Sequence, residues 1–216
     1  MTVTDPGVDA GTAARLLEVI DAEIVPLTRA GVAAGNKIFG AAVLRKDDLG
    51  VVLAATNDET SNPLWHGEMH AIKQFFELPR AARPAPRDCL FLATHEPCSL
   101  CLSGITWSGF DNFSYLFSHQ DSADSFAIPH DLAILRAVYA VPDPDREAPA
   151  PGRDRYNRVN DYFTSTDLAA VVRATVDAGD PAGDALAARV ERLTRTYAEL
   201  SEAYQAHRGG GEIALA

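Results

Sequence analysis

The chain has 216 residues, of which 47% are hydrophobic and 23% charged, enough apolar material for a globular domain with a sizeable core. A net charge of −11 and an isoelectric point near 4.9 count against a nucleic-acid partner, and the densest arginine stretch (Arg153, Arg155, Arg158) is interleaved with aspartate. No apolar run reaches the ~18 residues that a membrane helix needs, and residues 1–11 hold two aspartates and no basic start, so a cytoplasmic location is expected.

In chain order, Thr12 can cap a helix over 12–34, with Leu16, Ile20, Ile24 and Leu27 as its apolar stripe and Pro26 as a kink. Gly35 and Asn36 stop it. Residues 38–45 and 51–55 read as a strand hairpin turned at 46–50. The polar loop 57–63 leads into a helix over 66–78, closed by Pro79, Pro84 and Pro86. Residues 89–93 form a short apolar strand, Pro97 opens a helix over 98–108, and 113–117 is a fourth strand. A short helix within 122–135 and a fifth strand over 137–141 complete the pattern. This order predicts an α/β domain with a mixed five-stranded sheet and right-handed crossovers.

Pro142, Pro144, Pro149 and Pro151 mark a stiff connector, which divides the chain into a domain over 1–141, a linker over 142–154 and a mainly helical C-terminal extension over 155–216. In that extension Leu186, Val190, Leu193, Tyr197, Leu200 and Tyr204 recur at heptad-like spacing. The seam covers fewer than three heptads and serves either a helix docked on its own domain or a subunit interface. Gly209–Gly211 are expected to begin a mobile tail.

The three cysteines, Cys89, Cys98 and Cys101, are too few for a disulfide framework. Chemistry concentrates in His66-Gly67-Glu68 and in Pro97-Cys98-Ser99-Leu100-Cys101. Two thiolates and an imidazole suit Zn2+, and three protein ligands leave the fourth corner open to water, as catalytic sites do. Cys98 and Cys101 lie three apart at a helix start, on one face, where exposed amide N–H groups favour thiolates. Glu68 is close enough to reach water at the metal without being a ligand, and its carboxylate can carry protons to a ring nitrogen and a leaving amine. The rival readings are a redox Cys-x-x-Cys pair, a structural zinc site closed by His70 or His95, and a non-catalytic scaffold. Cys89 reads as a small buried hydrophobe.

Together the two half-motifs resemble the signature of the zinc nucleobase deaminases, H-x-E…P-C-x-x-C. Residues 12–141 are similar to the cytidine and deoxycytidylate deaminase superfamily. The segment Glu96-Pro97-Cys98-Ser99-Leu100-Cys101 looks most like the bacterial guanine deaminase and tRNA deaminase branch, and His66-Gly67-Glu68 like fungal cytosine deaminase, where other members usually carry Ala in the middle. The resemblance implies a three-layer α/β/α fold, a homodimer with sites near the subunit interface, and hydrolytic release of ammonia from a small amino-heterocycle. Cytosine, guanine or a triazine-like ring would serve as substrate. It also implies that Asn57 hydrogen-bonds the base, that the Gly67 N–H faces a base carbonyl, that His95 tunes specificity or fills a strand end, and that Trp107 stacks on substrate or packs. Tyr156, Tyr162 and Phe163 would cap the pocket or pack. Deamination of tRNA adenosine is the alternative, against which the acidic balance and the lack of a basic C-terminal cluster both weigh.

Overall fold

A computed structural model describes residues 7–135 and 156–207. The first helix, α1 (Ala10–Val19), is capped by Asp9, whose carboxylate accepts from the Thr12 N–H at 2.7 Å, so Asp9 and not Thr12 is the cap. The chain then widens into a π-helical turn, Ile20–Ile24, before α2 (Val25–Ala33). Val25 donates to the Ile20 carbonyl across that turn, and Pro26 falls in the first turn of α2, where no backbone N–H is needed. The extra residue shifts the phase of the apolar stripe. Leu16, Ile20 and Ile24 are buried as expected, but Leu27 is 40% exposed and Thr28 takes its place inside, donating to the Ile24 carbonyl.

Strands β1 (Gly40–Arg45) and β2 (Val51–Thr56) form the antiparallel hairpin, and β1 pairs antiparallel with β3 (Cys89–His95). The helix α3 (Gly67–Glu77) lies between β2 and β3, and α4 (Ser99–Trp107) crosses from β3 to the parallel β4 (Asn112–Phe117). Two short helices follow, α5 (His119–Asp124) and α6 (His130–Ile134), where one was expected. The strand anticipated at 137–141 lies outside the described residues. Among the described residues the fifth strand is β5 (Thr164–Asp167), which comes from the C-terminal extension and pairs parallel with β4, giving the order β2-β1-β3-β4-β5.

Alternation along β3 sorts the core into two layers. Cys89, Phe91 and Ala93 face α3 and α4, where they meet Ala71, Ile72, Phe75 and Ile105. Leu90 and Leu92 face the opposite layer, which holds α1, α2, α7 (Leu168–Asp177) and α8 (Gly183–His207). The fold is therefore a three-layer α/β/α arrangement around a mixed five-stranded sheet. The seam of α8 docks on its own domain: Leu186, Leu193, Tyr197, Leu200 and Tyr204 are buried in that layer, with Val190 packed partly against it. The glycine run at 209–211 lies outside the described residues. Among those described, no helix is long and apolar enough to cross a membrane.

Candidate metal centre and active site

Two helix starts meet at the carboxyl end of β3. His66 is the N-terminal flanking residue of α3 and Cys98 that of α4, so neither side chain is consumed in capping. His66 Nδ1 lies 3.5 Å from Cys98 Sγ and 3.8 Å from Cys101 Sγ, and the two sulfurs are 3.5 Å apart. A tetrahedral Zn2+ with bonds of ~2.3 Å to sulfur and ~2.05 Å to nitrogen requires S···N edges of about 3.6 Å and an S···S edge of about 3.8 Å. The three donors therefore stand at the corners that zinc needs, and they form the one cluster of metal-ligand type found among the described residues. Of the alternative fourth ligands, His70 is satisfied elsewhere, donating from Nδ1 to the Thr56 carbonyl (2.8 Å) and accepting at Nε2 from Gln74 (2.9 Å). His95 is buried in the layer behind the site.

Charge in the site follows from this proximity. Burial alone would lower the His66 pKa, but the Cys98 thiolate and the Glu68 and Glu59 carboxylates raise it to about 9. The Cys98 thiol is held well below its ordinary value, chiefly by the hydrogen bond from Cys101, with His66 adding to it; Cys101 is pushed up by burial. Glu68 is 5% exposed, and burial followed by the Cys98 charge raises it to about 7.

A family model described as the cytidine and deoxycytidylate deaminase zinc-binding region matches residues 20–117, which include all three ligands and Glu68. This stretch is similar to that zinc-binding region. No curated protein matches the sequence. Among solved structures, the guanine deaminase of Nitrosomonas europaea is similar at 18% identity, over 90% of this chain and 96% of that one, with a TM-score of 0.45. The guanine deaminase of Bacillus subtilis is similar at 22% identity, over 67% of this chain and 98% of that one, with a TM-score of 0.47.

The site opens on a cavity of about 250 Å³, smaller than the range typical of drug-sized ligands. Phe39, Pro63, Leu100, Ile128 and Ile134 give it apolar walls, and His66 and Cys98 reach it from the metal centre. Three charged residues that the motifs did not signal also line it. Lys37 and Glu59 form a buried ion pair at 2.9 Å, and Glu59 Oε1 lies 3.9 Å from His66 Nε2. Asp131, from α6, is raised to about 6 by burial and then by the Cys98 charge.

The expected substrate contacts fare differently. Asn57 is 1% exposed; its Oδ1 accepts from the Gly67 N–H at 2.5 Å and its Nδ2 donates to Glu59 at 2.9 Å. That Gly67 N–H is thus engaged by Asn57. The middle position of the His-x-Glu motif admits only glycine for a local reason: a Cβ on Gly67 would stand 2.7 Å from Gly40 Cα and 2.9 Å from the Phe39 carbonyl carbon. His95 is 3% exposed and enclosed by Phe39, Phe117, Phe126 and Tyr197, so it fills a strand end. Its Nδ1–H donates to Thr94 Oγ1 at 2.9 Å, its Nε2 has no partner, and burial lowers its pKa to about 3. Trp107 is 91% exposed at the far end of α4, about 12 Å along the helix from Ser99, and is neither core nor cavity wall in this chain. Phe163 packs in the core, Tyr162 is exposed, and Tyr156 donates to Glu96 rather than capping the cavity.

Proposed function

We propose that this chain hydrolytically deaminates a small amino-substituted heterocycle, releasing ammonia. One observation carries the reading: three ligand atoms converge with tetrahedral spacing beside a buried carboxylate that is not one of them. Zinc, when bound by His66, Cys98 and Cys101, supplies the Lewis acidity that makes water a nucleophile near neutral pH. Glu68 would take one proton from the attacking water and deliver it to the ring nitrogen beside the amino-bearing carbon, then take the second proton from the newly added hydroxyl and give it to the departing amine. Phe39, Leu100 and Ile128 offer apolar surface to a flat ring and exclude bulk water from it. Lys37 presents donors and Asp131 an acceptor at the polar parts of the wall, which suits a ring carrying both an acceptor and an N–H. The small cavity and the net charge of −11 both favour a free base or base-like ring over tRNA. A homodimer and a cytoplasmic location belong to the same proposal.

The test is ammonia release from a panel of aminopyrimidines, aminopurines and aminotriazines. At least one should turn over, and Glu68→Gln should abolish turnover while stoichiometric zinc remains. A Glu68→Gln protein that still releases ammonia would overturn the mechanism.

A further inference from the structure

The loop that presents Cys98 is held by very little backbone bonding. The Glu96 N–H donates to the Phe117 carbonyl at 2.7 Å, the last link to the sheet. Pro97 has no N–H, and helical bonding resumes with Leu102 donating to the Cys98 carbonyl. Between these points the Pro97 carbonyl accepts from His119 Nε2 at 3.1 Å. His119 is in turn aimed by Glu96: both its backbone N–H (3.0 Å) and its Nδ1–H (2.9 Å) donate to Glu96 Oε2.

The other carboxylate oxygen belongs to the C-terminal part of the chain. Glu96 Oε1 accepts from the Tyr156 hydroxyl at 2.7 Å and from Arg158 Nη2 at 3.3 Å. Arg158 is itself fixed by donating to the Tyr115 hydroxyl and by lying 5.7 Å from the ring centres of Tyr115 and Tyr156. A continuous path of contacts therefore runs from residues 156–158 through Glu96 and His119 to the peptide that precedes the metal ligand.

We infer that Tyr156 and Arg158 are positioning residues for the metal centre: by holding Glu96 they orient His119, and His119 fixes the Pro97 carbonyl and with it the Cys98 thiolate. The inference rests on the zinc site described above. Without the two donors on Oε1, Glu96 is free to turn and His119 loses its fixed aim, so the thiolate corner is no longer preset and its ordering is charged to metal binding. Outer residues that orient ligands typically contribute about 10–100-fold to metal affinity.

The experiment measures zinc affinity of the full chain by competition with a chromophoric chelator, with the visible spectrum of the cobalt-substituted protein as a second readout. Tyr156→Phe removes one oxygen and should weaken binding about tenfold; Tyr156→Phe with Arg158→Met should weaken it about 10–100-fold and broaden the cobalt bands. Arg158→Lys in place of Arg158→Met should recover part of the loss. Phe110→Leu, in the same core layer but packed against Phe75 and Phe91, controls for stability: it should lower the urea midpoint and leave zinc affinity within about twofold. Wild-type affinity in the double variant would overturn the inference, as would a loss in Phe110→Leu equal to that in the double variant. Failure of the wild-type chain to bind zinc would instead refute the metal site itself.

Discussion

His95 is where the packing and the protonation of this fold can be separated by one substitution. His95→Leu replaces a ring whose Nε2 is buried without a partner inside a cage of Phe39, Phe117, Phe126 and Tyr197. An unsatisfied buried nitrogen costs about 1–3 kcal/mol, and the Nδ1–H bond given up returns about 1 kcal/mol. Thr94 is not orphaned, because its hydroxyl still accepts from the Gly40 N–H and donates to the Gly40 carbonyl. The variant should therefore be more stable than the wild type by roughly 1 kcal/mol at pH 7.5. The gap should widen in acid. The folded-state pKa of His95, about 3, is depressed below the ordinary 6.5 by burial and then by the nearby His119 charge. The unfolded chain then binds the proton first, so the wild type loses stability as pH falls below 6.5. From pH 7.5 to 5 that loss is about 2 kcal/mol, placing the variant roughly 3 kcal/mol ahead at pH 5. Urea unfolding of both proteins at the two pH values measures the difference, in which all other titrating groups cancel. Parallel pH dependence in the two proteins, or a destabilised Leu variant at pH 7.5, would refute the reasoning.

Gly67→Ala should cost about 1–3 kcal/mol or more, because its new methyl meets the backbone of Phe39 and Gly40 and not a flexible side chain; urea denaturation checks this, and an unchanged midpoint would show that β1 yields. Lys37→Met should cost about 3–5 kcal/mol by leaving the Glu59 carboxylate buried without its cation, read as a fall in the thermal midpoint. Trp107→Ala should change stability by no more than about 0.5 kcal/mol; a larger loss that grows on dilution would show that a second copy covers this residue.

The metal centre was legible because its signal is local. The pairs His66/Glu68 and Cys98/Cys101 each sit within one helical turn, and the spacing alone brings each pair to a helix start. Strands β1 to β4 were legible for a similar reason, as short apolar runs between breakers. What escaped depended on distant parts of the chain. Lys37 and Glu59 read as ordinary polar residues and become a buried pair only when the loop before β1 folds against the loop after β2. Asp131 reaches the cavity through the placing of a five-residue helix that no periodicity announces. The Thr164–Asp167 strand is polar and brief, and only its pairing with β4 makes it a strand. The bond from the Gly67 N–H to Asn57 also escaped, because the two residues lie ten apart in the chain.

Because β5 is encoded after every ligand and after β4, the sheet is completed late in synthesis. Until residues 164–167 emerge, β4 offers a bare parallel edge, and Asn112–Phe117 is buried at every position in the finished fold. Such an edge invites pairing with other chains, so a nascent or C-terminally clipped molecule should aggregate although its zinc ligands are all present.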